Sequence, residues 1–123
     1  MADKTPHRNL EAWKTAMSLV KEIYSVTGKF PKEERYGLVY QMRRAAVSVP
    51  SNIAEGAADR TDSQFINFLS TALGSLAELD TQIELSKSFG FIDESDFNSI
   101  YDLHNRTKAL VFGLRKYLKN GKK

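Results

Sequence analysis

Residues 41–56 read QMRRAAVSVPSNIAEG, and they contain a conflict. Val39, Met42, Ala46, Val49 and Ile53 recur at the three- and four-residue spacing of a helix buried along one side, yet Pro50 stands inside that run and Gly56 just beyond it. Proline removes the amide that would reach the carbonyl of Ala46, and its ring crowds that carbonyl, at a cost of about 3 kcal/mol in an ordinary helix interior. Local rules also allow a break at Val49 with Pro50 restarting a new helix. A stripe interrupted in that way would have no reason to stay in phase. It does stay in phase, so we read one helix, continuous and kinked at Pro50. Ala45 and Ala46 are small where the backbone bends, while Ser48, Ser51 and Asn52 offer short polar groups to the loosened backbone.

Helical periodicity recurs on both sides of this stretch, and strand alternation is absent. The spacing predicts helices over about 9–28, 32–57, 62–89 and 94–119, followed by a basic tail at 120–123. The first has Asn9 as its N-cap, a stripe of Leu10, Trp13, Met17, Val20 and Tyr24, and Gly28 as its stop. In the second, Pro31 suits the first turn, and Glu33 and Glu34 suit the positive end of the helix dipole. Thr61 and Gln64 have the spacing of a capping box for the third. Its stripe is Phe65, Leu69, Ala72, Leu76, Leu79, Ile83 and Ser86, and Ser70, Ala72, Gly74, Ser75 and Ala77 give it a thin waist. Asp93 or Ser95 caps the fourth, where Ile100, Leu103, Thr107, Leu110, Leu114 and Tyr117 form a stripe that Phe97, Val111 and Leu118 widen. Four such helices on short loops make an all-α, antiparallel up-and-down four-helix bundle. The apolar faces of the first and fourth helices are wider than one core needs, and this points to cover by another subunit.

The bounds agree with this reading. A chain of 123 residues suits a single domain, 1–123, with one core. It has no cysteine, which closes disulfide, thiolate and Cys-type zinc chemistry and accords with a reducing, cytoplasmic location. The N-terminus lacks a signal peptide's apolar core, and no run approaches the roughly 18 apolar residues of a membrane span. Net charge is only +3, but it is unevenly placed: between Thr61 and Asp102 eight acids face Lys87 alone, and from Leu103 onward seven bases face no acid. The plain reading is solvated helix faces and a lysine-rich tail. The alternatives are a basic face for nucleic acid, or acidic and basic faces that pair between copies.

Catalytic and cofactor signatures are missing. His7 and His104 are the two histidines, neither lies three residues after a glutamate, and Glu78 and Glu84 are spaced for opposite faces, so a di-metal bundle centre does not form. No phosphate loop or serine elbow appears, and His104 between Asp102 and Asn105 reads as a surface or boundary residue. We therefore expect no enzyme, no cofactor and no metal. Arg43, Arg44, Glu55 and Arg60 remain. One reading is an arginine–glutamate network within or between subunits. The other is a phosphate-contacting patch in which Arg43, Arg44 and Arg60 join Arg106, Lys108, Arg115, Lys116 and Lys119 of the fourth helix.

The segments RNLEAWKTAMSLV, QMRRAAVSVPSNIAEGAADR and FLSTALGSLAELDTQIELSKSFGFI resemble the bacterial four-helix-bundle family whose members are encoded in intervening sequences of 23S ribosomal RNA genes. The matching signature is Arg44, Ala45, Ser48, Pro50, Asn52, Ile53, Ala54, Glu55 and Gly56, then Gly74, Ser75 and Glu78. The resemblance implies an up-and-down bundle assembled as a ring-like homopentamer, with no catalytic residue in the signature. A similar branch, the accessory variability determinant of diversity-generating retroelements, binds nucleic acid through a basic surface beside a reverse transcriptase. Two functions follow as expectations: a non-enzymatic oligomer that binds RNA or DNA without base-specific readout, or a homo-oligomeric scaffold for protein partners.

Overall fold

A computed structural model describes residues 6–59 and 61–121. Four long helices account for most of the described residues: α1, Glu11–Thr27; α2, Leu38–Ala57; α3, Asp62–Ser88; and α4, Glu94–Lys119. No strand occurs among them. Each helix packs on its two neighbours in the order α1, α2, α3, α4 and back to α1, with α1 diagonal to α3 and α2 diagonal to α4. This is a four-helix bundle. Cross-helix bonds fix the antiparallel register. Arg43 near the start of α2 reaches Thr27 at the end of α1, Ser48 meets Ser75, and Arg115 late in α4 reaches Ser70 early in α3.

The N-terminal boundaries of the first two helices differ from the sequence reading. Asn9 lies in a 3-10 turn, Pro6–Asn9, and Leu10 stands at the N-cap without a side-chain cap. The connection after Pro31 forms a short 3-10 turn, Lys32–Glu34, and α2 begins only at Leu38. Gly37 holds the non-helical φ −105°, ψ −115° that separates the two, and Glu34 Oε1 accepts the Leu38 amide at 3.2 Å. Glu34 therefore serves as a cap and not as a first-turn residue. The other caps follow the sequence. Thr61 accepts from the Gln64 amide at 3.2 Å, and Asp93 accepts from the Asp96 amide at 2.8 Å. After α3, Gly90 takes φ 77° and the Phe91 amide bonds back to the Ser86 carbonyl, a Schellman ending that a residue with a Cβ would strain.

α2 runs unbroken through Pro50, whose side chain is buried. Its expected stripe is the core stripe: Val39, Met42, Ala46, Val49 and Ile53 are all buried, as are Leu69, Ala72, Leu76, Leu79, Ile83 and Ser86 on α3. The first and fourth helices need correction. On α1 the core face is Ala12, Ala16, Leu19, Ile23 and Val26, while Trp13, Met17, Val20 and Tyr24 form a flank open to solvent. On α4 the buried set is Phe97, Ile100, His104, Thr107, Val111 and Leu118, with Leu103, Leu110 and Leu114 at its margin. Both helices are apolar over a wide arc, and on α1 spacing alone favours the large Trp13 and Met17 over the buried Ala12 and Ala16.

α2 and α3 make the broadest contact, and small residues allow it. A Cβ on Gly56 would stand 2.7 Å from Phe65 Cδ1 and 2.9 Å from Phe68 Cβ. Above this point the Ser48 and Ser75 hydroxyls bond at 2.8 Å, and Asn52 Nδ2 donates to the Ser48 carbonyl at 2.8 Å. At the opposite end Lys29 Nζ donates to Asp96 at 3.0 Å, a contact that raises the Lys29 pKa. Its stabilisation is present below the ordinary lysine range and is lost as pH climbs through the raised value.

Two glycine substitutions separate packing from propensity. Gly56→Ala should destabilise the fold by about 1–3 kcal/mol through overpacking against Phe65 and Phe68. Gly74→Ala, where an added Cβ meets nothing within 4 Å, should raise stability by up to about 1 kcal/mol. Paired thermal melts test this, and equal shifts for the two variants would refute it.

Candidate nucleic-acid interface and apolar face

The candidate cations fall on two different faces. Arg43, half-buried on α2, donates Nε to Thr27 Oγ1 at 3.0 Å and Nη2 to the Tyr24 carbonyl at 3.3 Å. Its guanidinium lies over the Tyr24 ring, 4.4 Å from the centroid. Arg44 is exposed beside it, on the same α1–α2 face. Arg115, on α4, donates to Ser70 Oγ at 3.1 Å and stacks on Phe112 at 4.8 Å, which places it on the α3–α4 face. Arg106, Lys108, Lys116 and Lys119 are exposed along α4. Because α2 and α4 are diagonal, the chain by itself does not join Arg43 and Arg44 to the α4 cations in one patch. Arg60 lies outside the described residues.

Among the described residues no arginine–glutamate ion pair forms. Arg43 is held by α1, and among the described residues Glu55 enters neither of the ion pairs, which are Lys14–Glu11 and Lys29–Asp96. Of the signature residues, Ser48, Asn52, Gly56 and Ser75 serve the α2–α3 contact, while Glu55, Gly74 and Glu78 are exposed. His104 departs from the surface reading: it is buried, and its Nε2, 2.7 Å from the Leu76 carbonyl, must carry the proton, since a carbonyl can only accept. It ties α4 to α3 and has no access to a substrate. Among the described residues no group of three or more His, Asp or Glu is placed to hold a metal.

Antiparallel packing converts the linear charge pattern into an axial one. α3 carries no charged residue from Ser63 to Ala77, and that neutral half lies beside the basic second half of α4, as the Arg115–Ser70 bond shows. Glu78, Asp80 and Glu84 lie instead beside the acidic first half of α4, the register being fixed by His104 and Leu76. The α3–α4 side is thus basic and hydroxyl-rich toward the end of α4 and acidic toward its start.

The α1–α2 side is different. Trp13, Met17, Val20, Val47, Pro50 and Ala54 line an open apolar groove of about 330 Å³, and a second hollow beyond it is walled by Tyr24, Tyr40, Val47 and the arginines. Tyr40 is 53% exposed. Apolar surface is thus open between α1 and α2, and Tyr36, Leu85, Phe89, Phe112 and Tyr117 are exposed elsewhere.

The profile of the 23S rRNA-intervening sequence proteins matches residues 8–113. The chain belongs to that family. A crystal structure from Bacteroides thetaiotaomicron, described as a protein of unknown function from the S23 ribosomal protein family, is similar in fold: TM-score 0.79, 21% identity, over 85% of this chain and 95% of that one. No curated protein matches. The family assignment and the bundle agree with the resemblance in RRAAVSVPSNIAEG, and no helix among the described residues is long and apolar enough to cross a membrane.

The cross-helix partners of Arg43, Ser48 and Arg115 are 16, 27 and 45 residues away, and no local spacing announces them. They predict unequal substitutions. Arg43→Met should cost about 1–2 kcal/mol by removing charged hydrogen bonds and the ring contact. Glu55→Ala should change stability by less than about 0.5 kcal/mol. Denaturant titration measures both, and a larger loss for Glu55→Ala would restore the network.

Proposed function

We propose that the protein is a non-enzymatic homo-oligomer, a ring of five as the family resemblance implies, that binds nucleic acid through the basic half of α4 without reading bases. The observation that supports this is the acid-free second half of α4, with Lys108, Arg115, Lys116 and Lys119, beside the uncharged, hydroxyl-bearing stretch of α3 from Ser63 to Ala77. Such a surface neutralises phosphates and offers no element shaped for a groove. RNA is favoured over DNA by the family's association with ribosomal RNA inserts. A reverse transcriptase is a further candidate partner through the related retroelement branch.

Assembly is supported by the α1–α2 groove, where half-buried Trp13, Met17 and Val20 meet exposed Val47 and leave apolar surface that a second copy would cover. A kink of α2 at Pro50 would shape that groove, with the Pro50 ring as part of its wall. The same groove favours the second reading, a scaffold for protein partners in which acidic and basic faces of neighbouring copies meet.

Binding of ribosomal RNA fragments and mixed duplexes at low and physiological salt tests the first reading. Affinity should fall steeply with salt, and replacing Lys108, Lys116 and Lys119 by alanine should flatten the log–log slope by about 0.7–0.9 per lost phosphate contact. No binding at low salt would sink it. Light scattering tests assembly. The wild type should run as a multiple of the chain mass, and Met17→Lys with Val47→Glu should reduce it to one chain; a wild-type monomer at micromolar concentration would remove the oligomer.

A further inference from the structure

Between the end of α1 and the start of α2 the chain turns over a cavity of about 430 Å³. Lys32, Arg35 and Arg43 line it together with Phe30 and Val39, and no carboxylate does. Of the acids in the connection, Glu34 caps α2 through the Leu38 amide, and Glu33, next to Lys32, is exposed and does not line the hollow. Among the described residues none of the three cations forms an ion pair. Three like charges around one hollow repel each other; Arg43 ties α2 to α1, but neither exposed side chain, Lys32 or Arg35, enters an ion pair that would hold it there.

Arg43 is also set in place in advance. Thr27 donates its hydroxyl proton to the Ile23 carbonyl at 2.6 Å, so its oxygen is left to accept from Arg43 Nε. With Nη2 on the Tyr24 carbonyl and the Tyr24 ring beneath, the guanidinium is fixed while both N–H groups of Nη1 and one of Nη2 are unspent. A fixed guanidinium with spare donors loses little entropy on binding an anion. Lys32 and Arg35 are exposed and can close over the bound group.

A second hollow of about 380 Å³ adjoins this one and shares Arg35, Val39 and Arg43 with it. Its additional wall is Tyr24, Tyr40, Arg44 and Val47, and Tyr40 and Val47 are surfaces suited to a planar ring. We infer that the two hollows form a nucleotide site, with a phosphoryl group held by Arg43, Lys32 and Arg35 and the attached base lying against Tyr40 and Val47. The ligand is either a free mononucleotide or one nucleotide of a strand. The site lies on the α1–α2 face, away from the basic half of α4, so it stands or falls separately from the nucleic-acid surface proposed above, and it shares only Val47 with the groove proposed for assembly.

The experiment is calorimetric titration of the full chain with adenosine monophosphate, adenosine and short single-stranded RNA, for wild type, for Lys32→Ala with Arg35→Ala, and for Lys116→Ala with Lys119→Ala. The nucleotide should bind and adenosine should not. The Lys32/Arg35 variant should lose affinity on the order of tenfold or more with its melting temperature unchanged, and the α4 variant should keep wild-type affinity for the nucleotide. RNA that depends on Lys32 and Arg35 when the free nucleotide does not bind assigns the phosphate to a strand. The inference is overturned if neither ligand binds, or if binding is indifferent to Lys32 and Arg35. RNA binding lost only in the α4 variant would overturn this site and leave the nucleic-acid reading standing.

Discussion

The close approach of α2 to α3 at Gly56 is the constraint on which the rest of the bundle depends. With a hydrogen in place of a side chain, the end of α2 lets the Phe65 and Phe68 side chains come to within 3 Å of where a Cβ would sit, only a short turn before α3 begins. That contact sets the register of two antiparallel helices. Ser48 then falls opposite Ser75, and two hydroxyls meet where any larger pair would push the helices apart. From α3 the register passes to α4 through Arg115 on Ser70 and His104 on Leu76. A local steric requirement thereby decides which half of α4 lies beside which half of α3, and hence where the charge of the molecule collects.

Pro50 is compatible with this arrangement because it faces the other side. It lies on the α1 flank of α2, in the wall of the groove with Trp13, Met17 and Val20, away from the tight contact. The helix loses one amide donor there, while Asn52 adds a side-chain donor to the neighbouring Ser48 carbonyl. The rigid ring contributes apolar surface without the rotamer entropy of a leucine. The proline is tolerated where its buried ring packs on the α1 flank of α2, away from the α2–α3 contact.

The legible parts of the fold were those carried by local spacing. The α2 and α3 stripes, the Thr61 and Asp93 caps and the unbroken run through Pro50 all follow from residues within a few turns of each other. The α1 core face did not, because Ala12 and Ala16 are less conspicuous than Trp13 and Met17, and depth in a bundle rewards small side chains at close crossings. The start of α2 was misplaced because Glu34 reads as a first-turn acid and acts instead as a cap across Gly37. At the candidate site the identities of Arg43 and Arg115 were legible, but their surroundings were not. Sequence spacing cannot tell that two helices are diagonal, and the expected single patch divides between opposite faces for that reason. Lys32 and Arg35 drew no attention, since a cation in a connecting segment gains meaning only when Arg43 is folded against it.

Topology also determines how the charge acts. In the extended chain the acidic stretch and the basic stretch are consecutive; antiparallel folding doubles the acidic stretch back on itself and sets the basic stretch beside a neutral one. The second half of α4, which carries no acid, comes to lie beside the uncharged stretch of α3 from Ser63 to Ala77. In a closed ring of copies whose long axes follow the ring axis, rotation places every basic half at one rim. Each copy then offers a few weak, salt-sensitive contacts, and linkage through the ring multiplies them on one polyanion with no new contact within any copy. In the proposed assembly the apolar groove on the opposite face would be the covered surface, and its separation from the basic half of α4 follows from the register that Gly56 sets.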